Sequence, residues 1–513
     1  MNIRHTDRLL ATAEVLLTNR DPHATSQEET LAVIAELIHA ATHDVLTGLP
    51  NRSLLLNRIE HELTQAAVDD EQVAVLFVDL DNFKLVNDSL GHDSGDELLC
   101  EVARRISACV GESGVVSRIG GDEFVILFPH AKLGTEDALA ARMLVAVAEP
   151  VRIGVREVVT SASIGVASSR LGEQSVEQLL RDADTALYAA KDRGRNCMVR
   201  FNQELHARVA RRMQLESDLR VALREKQVFV HYQPQVSLAT GQLVGVEALA
   251  RWKHPVYGMV SPAEFIPIAE DSRLICDLGR QVLHSACQQL AEWTAASPGR
   301  PLSMTVNVSP RQLGDPNFIA EVQAIVQQTG VSLSSLCLEL TESALTHSET
   351  EILAALNQLH QMGIYMAIDD FGTEYSSLAR LRDLPIEVLK IDRSFIDGLP
   401  TEAGDTAIVS SILSLAFAMG KHVIAEGIER VDQALALRSM GCPVAQGYLF
   451  SMPVEASRIA AMRDQPLWQV PTSWGVQEAA VAPDTLTRRA HPTFIEEFLD
   501  HIGVPMHVKA TTG

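Results

Sequence analysis

The chain has 513 residues, and its 43 Lys and Arg against 66 Asp and Glu give a net charge of −23. This length predicts roughly two to four domains, each able to bury its own core. A content of 46 % hydrophobic and 21 % charged residues is typical of an ordinary globular protein. So negative a chain repels polyanions, which argues against binding of a nucleic-acid polymer. A nucleotide could bind only through local cations or metal ions.

The cysteines and the N-terminus indicate where the protein is located. The seven cysteines are scattered and include no Cys-x-x-Cys pair, which argues against a disulfide framework and against a zinc knuckle. The N-terminus lacks the basic, apolar and small-residue succession of an export signal, and the chain has no run of about eighteen apolar residues. We therefore expect a cytoplasmic protein that does not enter a membrane.

Residues 1–40 predict a helical segment. Ser26 and Glu29 match a capping box, and Leu31 and Ile34 begin a series of apolar residues at helical spacing. This apolar stripe fits two arrangements equally well, pairing with a second copy of the chain or packing against the chain's own first domain.

Over 41–200, short apolar runs alternate with helical stretches, which predicts an α/β sandwich. The first such run reaches Asp79 and is followed by Asp81, and a Gly-Gly pair directly precedes Asp122 and Glu123. Two neighbouring acidic turns can hold oxygen-liganded cations, and paired metals assist phosphoryl transfer. Each turn taken alone is more often a solvated loop or an ordinary hairpin.

Four ordered blocks make this interpretation specific, because together they resemble the GGDEF diguanylate cyclases. The blocks are DVLTGLPNR (44–52), DLDNFKLVNDSLGHDSGDELL (79–99), RIGGDEF (118–124) and ALYAAKDRGRN (186–196). The resemblance implies a palm-like α/β sandwich that condenses two GTP molecules into cyclic di-GMP. Each GTP would be held on its own protomer, so the resemblance also implies a homodimer.

The same resemblance implies roles for individual residues. The ligands for Mg²⁺ or Mn²⁺ would be Asp79, the Leu80 carbonyl and Asp122. Glu123 would support the metal or the proton-transfer site. The guanine edge would be read by Asn87 and Asp96. The triphosphate would be held by Lys84, Lys191 and Arg195, which supply the local cations that an acidic protein needs.

One departure from this family concerns inhibition by the product. Many members carry an inhibitory Arg-x-x-Asp before the signature, and the corresponding positions here are Gly111 and Gly114. We therefore expect weak inhibition by cyclic di-GMP.

The second half of the chain has a different rhythm. Residues 201–226 contain no Gly or Pro and many charges, which predicts a helical connector. Beyond it, apolar runs that end in polar residues alternate with helical stretches, which predicts a (β/α)₈ barrel with its chemistry at the C-terminal ends of the strands. The polar residues at these ends are Glu247, Asn307, Glu339, Asp369, Lys390, Glu426 and Gln446.

Together with Asp370, this group offers carboxylates and one amide oxygen on a single rim, which suits Mg²⁺ or Mn²⁺. Without cations, so much negative charge in one place would cost several kcal/mol. A solvated surface position explains any one of these residues, but solubility does not explain their recurrence at successive strand ends. We expect Lys390, the cation among them, to orient or activate the attacking water.

The same residues resemble the EAL phosphodiesterases across 212–462. The blocks are HYQPQV (231–236), VEALARW (246–252), FIPIAE (265–270), NVSPRQL (307–313), LELTES (338–343), AIDDFGTEYSSL (367–378), LKIDRSFI (389–396), AEGIE (425–429) and QGYLF (446–450). The resemblance implies a TIM-type barrel that hydrolyses cyclic di-GMP to linear pGpG.

This second resemblance also implies residue roles. The metal ligands would be Glu247, Asn307, Glu339, Asp369, Asp370 and Glu426. Gln446 would help to place the water, and Glu342 and Glu429 would support the loop after Asp370. The ligand would be contacted by Gln233 and Arg251. Glu374 stands where the family usually has Gly, and a Glu forced to a positive φ costs on the order of 1 kcal/mol or more.

The sequence as a whole predicts a GGDEF domain followed by an EAL barrel, with both activities present. One alternative is a net phosphodiesterase in which the first domain binds GTP only to regulate the second. Another is a cyclic di-GMP receptor without turnover, which the retained Asp79, Asp122, Glu247 and Lys390 argue against. No role is assigned to the tail at 463–513.

Overall fold

The computed structural model describes residues 36–69, 72–129, 135–154, 156–169, 175–342, 344, 350–373, 381–382 and 384–469. The chain divides into two compact units, Met1–Met213 and Gln214–Gly513. Among the described residues, no helix combines the length and the apolar character needed to cross a membrane.

Three features singled out in the sequence lie outside the described residues. They are the capping-box pattern at Ser26 and Glu29, the substituted loop position Glu374, and the tail from residue 470 onward. Of the predicted first helix, the described part is helical over 36–42.

The first unit combines a five-stranded sheet and a two-stranded sheet with helices. Its described strands are β1 (Ala74–Leu80), β2 (Val115–Gly120), β3 (Glu123–Phe128), β4 (Val151–Ile153), β5 (Arg156–Val158), β6 (Ala162–Ser168) and β7 (Met198–Arg200). Its described helices are α1 (Arg52–Asp69), α2 (Phe83–Leu90), α3 (His92–Val110), α4 (Thr135–Ala148), α5 (Val176–Asp192) and α6 (Gln203–Arg224), and the division between the units falls within α6.

Strand β1 lies at the centre of the larger sheet and faces a hydrophobic core on each side. The sheet order is β2-β3-β1-β6-β7, and β1 is antiparallel to both β3 and β6. Leu76 and Val78 belong to the core that includes α3 and α4, whereas Val75 and Phe77 belong to the core that includes α1 and α5. This division follows from the two-residue repeat of a strand. The predicted α/β sandwich is confirmed.

The second unit is built on a nine-stranded sheet. Its described strands are β8 (Val228–Ser237), β9 (Leu243–His254), β10 (Gly258–Val260), β11 (Ser303–Asn307), β12 (Leu336–Thr341), β13 (Tyr365–Phe371), β14 (Val388–Ile391), β15 (His422–Ala425) and β16 (Val444–Gln446). Its further described helices are α7 (Pro262–Asp271), α8 (Ile275–Ala296), α9 (Pro310–Leu313), α10 (Phe318–Thr329), α11 (Thr350–Gln361), α12 (Arg393–Ile396), α13 (Ala403–Ala418), α14 (Val431–Ser439) and α15 (Ala456–Met462).

These strands confirm the predicted barrel. The sheet order is β10-β9-β11-β12-β13-β14-β15-β16-β8, and because β8 also pairs with β9, the sheet closes with β10 outside the ring. From β9 to β16 the strands of the ring run parallel. Strand β8 departs from the ideal pattern, since it is antiparallel to both β9 and β16. It connects to β9 through a short turn, and such a connection can join only antiparallel strands.

The barrel corrects one detail of the sequence prediction. Glu247 was expected to end a strand, but it lies in the middle of β9, which continues to His254 while it pairs with β8. Asn307 and Gln446 are the last residues of β11 and β16, and Glu426 directly follows β15.

Candidate functional sites

In the first unit, the end of β1 and the Gly-Gly hairpin lie side by side. Asp79 pairs with Glu123 across β1 and β3, and the Leu80 amide donates to the Asp122 carbonyl at 3.4 Å. Gly121 has a φ of 55°, in the left-handed region where glycine is favoured. The glycine turn therefore holds Asp122 beside the end of the buried strand.

This site has an excess of negative charge. Burial raises the pKa of Asp79, and Lys191, whose Nζ lies 2.8 Å from Asp79 Oδ2, acts against that rise. Burial and the nearby Asp79 and Asp122 also raise the pKa of Glu123. When burial and mutual repulsion oppose the ionisation of neighbouring carboxylates, a bound cation stabilises their charged forms. Carboxylate and carbonyl oxygens are ligands that a divalent ion accepts, but among the described residues Asp79, Asp122 and Glu123 do not form a group of three carboxylates within 4.8 Å of one another.

Asp81 has a different role from Asp79, although both follow the same apolar run. Its carboxylate accepts hydrogen bonds from Ser161 Oγ at 2.6 Å, from Ser163 Oγ at 2.7 Å and from the Asn196 amide at 3.1 Å. These three donors occupy the carboxylate, so Asp81 holds the end of β1 to β6 and to the segment after α5.

Sequence reasoning missed a clamp on the hairpin. The Arg118 guanidinium donates to the Gly121 carbonyl from Nε at 3.0 Å and from Nη2 at 2.7 Å, and its Nη1 donates to Asp44 Oδ1 at 2.9 Å. Thr47 donates to the same Asp44 oxygen from its amide and its hydroxyl. Arg118 and Asp44 both lie within the sequence blocks that resemble the GGDEF family, and this position was the one sequence feature that could have marked them. Their contact depends on the fold, which brings the two blocks together.

The residues predicted to bind guanine lie on α2 and α3. Asn87 Oδ1 is buried and has no hydrogen-bond partner among the described residues. A Cβ at Gly95 would lie 1.9 Å from this oxygen, so a larger residue there would require the Asn87 side chain to move. Asp96 follows Gly95 directly and is exposed, as are Lys84 and Arg195. An amide side chain beside an exposed carboxylate suits recognition of a base edge.

In the second unit, Lys390 lies at the centre of a group of carboxylates inside the barrel. Its Nζ is 2.5 Å from Glu426 Oε1, 3.3 Å from Glu247 Oε2 and 3.5 Å from Asp369 Oδ1, and it also contacts Glu339. The Lys390 side chain is 1 % exposed. Strands β9, β12, β13 and β14 and the residue after β15 therefore converge on one ammonium group.

Around Glu247, amide side chains extend this cluster. Asn307 Nδ2 donates to Glu247 Oε1 at 2.7 Å, and Gln446 Nε2 donates to Glu247 Oε2 at 2.6 Å. Gln446 Nε2 also lies 3.0 Å from Gln233 Oε1, and Gln235 Nε2 donates to Gln446 Oε1 at 3.2 Å. These contacts fix the orientation of Glu247 on the barrel interior.

Lys390 and the surrounding carboxylates shift one another's pKa values. Burial acts to lower the pKa of Lys390, but Glu247 and Glu339 in particular hold it well above its usual value. Burial raises the pKa of Glu339 well above its usual value, and that of Glu426 to about 8, although Lys390 opposes both shifts. Burial acts in the same direction on Asp369, but Lys390 keeps its pKa below the usual value. One ammonium group does not neutralise the cluster.

The donor set fits a divalent metal ion. One oxygen from each of Glu339, Asp369 and Glu426 lies within 4.8 Å of the others. Glu339 Oε2 is buried without a hydrogen-bond partner among the described residues, and such an atom is costly unless an ion or a water satisfies it. Asp370 has a φ of 55°, and burial and the adjacent Asp369 raise its pKa to about 6.

The two residues predicted to support the loop after Asp370 are placed differently. Glu342 Oε2 accepts a hydrogen bond from the Gly372 amide at 2.8 Å, which ties it to this loop. Glu429 instead lies 2.9 Å from the Arg393 guanidinium. The ion pair of its side chain therefore lies with α12, and its backbone amide donates to Gln433 Oε1 in α14 at 3.0 Å.

A cavity of about 430 Å³ lies beside the carboxylate cluster and opens to solvent. Gln233 and Arg251, the predicted ligand contacts, line it together with Asn307, Glu339 and Tyr448. The cavity therefore brings a cation and an exposed aromatic ring to the edge of the acidic site, which suits an anionic ligand with aromatic bases.

Comparisons with known proteins assign a domain family to each half of the chain. The model of the diguanylate cyclase GGDEF domain matches residues 41–197, and the EAL domain model matches residues 216–453. The bifunctional diguanylate cyclase/cyclic di-GMP phosphodiesterase MucR of Pseudomonas aeruginosa is 42 % identical over 426 residues, which is 83 % of this chain and 62 % of that protein. An uncharacterized protein of Mycobacterium tuberculosis, Rv1354c, is 40 % identical over 435 residues, covering 84 % of this chain and 69 % of that protein.

A solved structure shows the same fold over most of the chain. The S helix–GGDEF–EAL portion of Vibrio cholerae LapD, bound to c-di-GMP, has a TM-score of 0.51 and 19 % sequence identity, and it covers 83 % of this chain and all of that one. The chain spans between 52 % and 62 % of the length of the first curated relatives it matches.

Proposed function

This chain belongs to the tandem GGDEF–EAL family, and we propose that its barrel hydrolyses cyclic di-GMP to pGpG while its first unit condenses two GTP molecules into cyclic di-GMP. We assign 41–200 to the cyclase domain, 201–226 to a connector and 212–462 to the phosphodiesterase domain. The observation that carries the proposal is the ring of carboxylates around Lys390, because it combines metal-binding oxygens with a buried cation beside a cavity for an anion.

Mg²⁺ or Mn²⁺ is the cofactor that the barrel residues fit. The residues that would hold it are Glu247, Asn307, Glu339, Asp369, Asp370 and Glu426. When bound, divalent cations neutralise the phosphodiester and stabilise the charge that develops during its cleavage. Two observations support this assignment: Glu339 Oε2 has no hydrogen-bond partner among the described residues, and burial raises the pKa of Glu426. A bound cation would stabilise the ionised form of both groups.

The barrel's own residues bind and orient the reactants. Because the carboxylates keep Lys390 protonated, it acts as a hydrogen-bond donor that orients the attacking water and not as a base. Gln446 holds Glu247 in place through the 2.6 Å hydrogen bond. Arg251 and Gln233 line the cavity wall, and in this proposal they contact a phosphate and a base of the dinucleotide.

In the cyclase domain, Asp79, the Leu80 carbonyl and Asp122 would hold the metal, and Lys84, Lys191 and Arg195 would bind the triphosphate. The clamp from Arg118 to the Gly121 carbonyl positions the turn that carries Asp122. Because the reaction joins two GTP molecules on facing protomers, the proposal requires a homodimer.

A pair of single substitutions tests the two assignments separately. Glu339→Gln should abolish hydrolysis of cyclic di-GMP and leave GTP condensation, whereas Asp79→Asn should do the opposite. Glu60→Gln, on the exposed surface of α1, is the matched control and should leave both reactions unchanged. If the wild type forms no cyclic di-GMP from GTP but GTP accelerates hydrolysis, the first domain is a regulatory GTP-binding module. Unchanged hydrolysis in Glu339→Gln would remove the barrel assignment.

A further inference from the structure

A second cavity lies at the opposite, N-terminal end of the barrel. It encloses about 110 Å³ and is lined mainly by apolar groups, including residues at the starts of several barrel strands. An apolar cavity of roughly 150 Å³ is large enough to bind benzene. At about 110 Å³ this space is smaller, but it opens to solvent beside the exposed Phe417, so a small ring or a short hydrocarbon chain can enter it without being fully enclosed.

The cavity lies directly beneath the carboxylate cluster. Five of its lining residues each precede a residue of the proposed catalytic site by two positions, and residues two apart on a strand face the same side. In chain order these lining residues are Thr305, Cys337, Val388, Ile424 and Val444. They precede Asn307, Glu339, Lys390, Glu426 and Gln446. The barrel interior is thus polar toward the C-terminal ends of its strands and mainly apolar toward their N-terminal ends.

Gln235 connects the lower cavity to the carboxylate cluster. It lines the lower cavity, and its Nε2 donates to Gln446 Oε1 at 3.2 Å. Gln446 in turn donates to Glu247 Oε2 at 2.6 Å. A molecule that displaces the Gln235 side chain would therefore disturb Gln446 and, through it, a proposed metal ligand.

The cavity also has a cationic residue. Lys421 lines it together with Phe417, which is 45 % exposed. Lys421 Nζ donates to the Ile386 carbonyl at 2.5 Å, which uses one of its three ammonium protons. An ammonium group next to an apolar space recognises a ligand that has an apolar body and an anionic end.

We propose that this cavity binds a small aromatic carboxylic acid, with the ring between Cys337 and Val444 and the carboxylate at Lys421. The site is distinct from the nucleotide sites, and its occupancy changes the hydrolysis rate through Gln235 and Gln446. The binding itself does not depend on the proposed nucleotide turnover, whereas the effect on the hydrolysis rate rests on it.

Calorimetric titration of the full chain with benzoate tests the proposal without any nucleotide present. Lys421→Met should weaken benzoate binding about ten- to hundredfold, as expected for one charge-assisted hydrogen bond. Val444→Phe should fill the cavity and abolish binding. The matched controls are Lys253→Met and Val256→Phe, both at exposed positions of the same unit, and these should bind benzoate like the wild type.

Benzyl alcohol separates the two parts of the site, since it keeps the ring and lacks the charge. It should bind more weakly than benzoate, and Lys421→Met should not change its affinity. The proposal is overturned if the wild type does not bind benzoate at millimolar concentration, or if folded Val444→Phe binds it normally. If Val444→Phe does not fold, the Lys421→Met comparison still decides, because equal benzoate affinity in that variant would also overturn the proposal.

Discussion

Replacing Lys390 with Met removes the positive charge at the centre of the carboxylate cluster while keeping most of the side chain's length. The wild-type ammonium lies within 3.5 Å of oxygens from Glu247, Asp369 and Glu426, and it also contacts Glu339. The variant therefore leaves several buried or half-buried carboxylates facing one another without a cation.

The expected destabilisation in the absence of metal is about 3–5 kcal/mol, the usual cost of removing one partner from a buried ion pair. Proton uptake by the carboxylates relieves part of this cost, because burial already favours the neutral forms of Glu339 and Glu426. The difference between variant and wild type should therefore grow as pH rises and these groups ionise. Saturating Mg²⁺ should reduce it, since a bound cation supplies the missing charge.

Tryptophan fluorescence during urea unfolding measures this effect on the barrel specifically. The sequence of the first unit contains no tryptophan, and the described Trp252, Trp293 and Trp468 lie in the second unit. Lys253→Met, at an exposed position on β9, is the matched control and should unfold like the wild type. Equal urea midpoints for Lys390→Met and the wild type in chelator would refute the reasoning, as would a deficit that Mg²⁺ does not reduce.

Three further predictions concern other parts of the molecule. Asp122→Ala should abolish formation of cyclic di-GMP from GTP, and unchanged synthesis would contradict the cyclase assignment. The Glu247→Ala variant should not hydrolyse cyclic di-GMP, so inhibition by this product can be measured in it. Micromolar cyclic di-GMP should slow its GTP turnover little, because Gly111 and Gly114 replace the Arg and Asp of the inhibitory motif. Strong inhibition would indicate another inhibitory site. Burial lowers the pKa of His422 to about 4. The unfolded chain therefore binds a proton near pH 6.5 that the folded protein excludes, and stability should fall by up to about 3 kcal/mol between pH 6.5 and 4. His422→Gln should remove that part of the pH dependence of urea unfolding, and an unchanged slope would exclude His422 as its source.

The sequence pattern pointed to several of the residues that lie together in the barrel. A polar residue that follows an apolar run marks the C-terminal end of a barrel strand, and parallel strands bring such ends together. Glu339, Asp369 and Glu426 accordingly lie close to one another. Glu247 was found by the same rule although it lies within a long strand, because an inward-facing residue can reach the cluster from the middle of β9.

Other features could not be predicted because they depend on contacts between distant parts of the chain. Arg118 and Asp44 are 74 residues apart and meet only when the hairpin packs beside the segment before α1. Asp81 and Asp79 look alike in the sequence. In the fold, however, the hydroxyls of Ser163 in β6 and of Ser161 just before β6 donate hydrogen bonds to the Asp81 carboxylate. The antiparallel direction of β8 is set by its pairing with two neighbours, and no local pattern encodes it.

The most direct test of the central claim is chromatographic analysis of nucleotides after the purified protein is incubated with cyclic di-GMP and Mg²⁺. The wild type should convert the dinucleotide to linear pGpG, Lys390→Met should leave it intact, and Lys253→Met should match the wild type. Intact cyclic di-GMP with the wild type in both Mg²⁺ and Mn²⁺, or equal pGpG formation by Lys390→Met, would contradict the proposed role of the carboxylate cluster around Lys390.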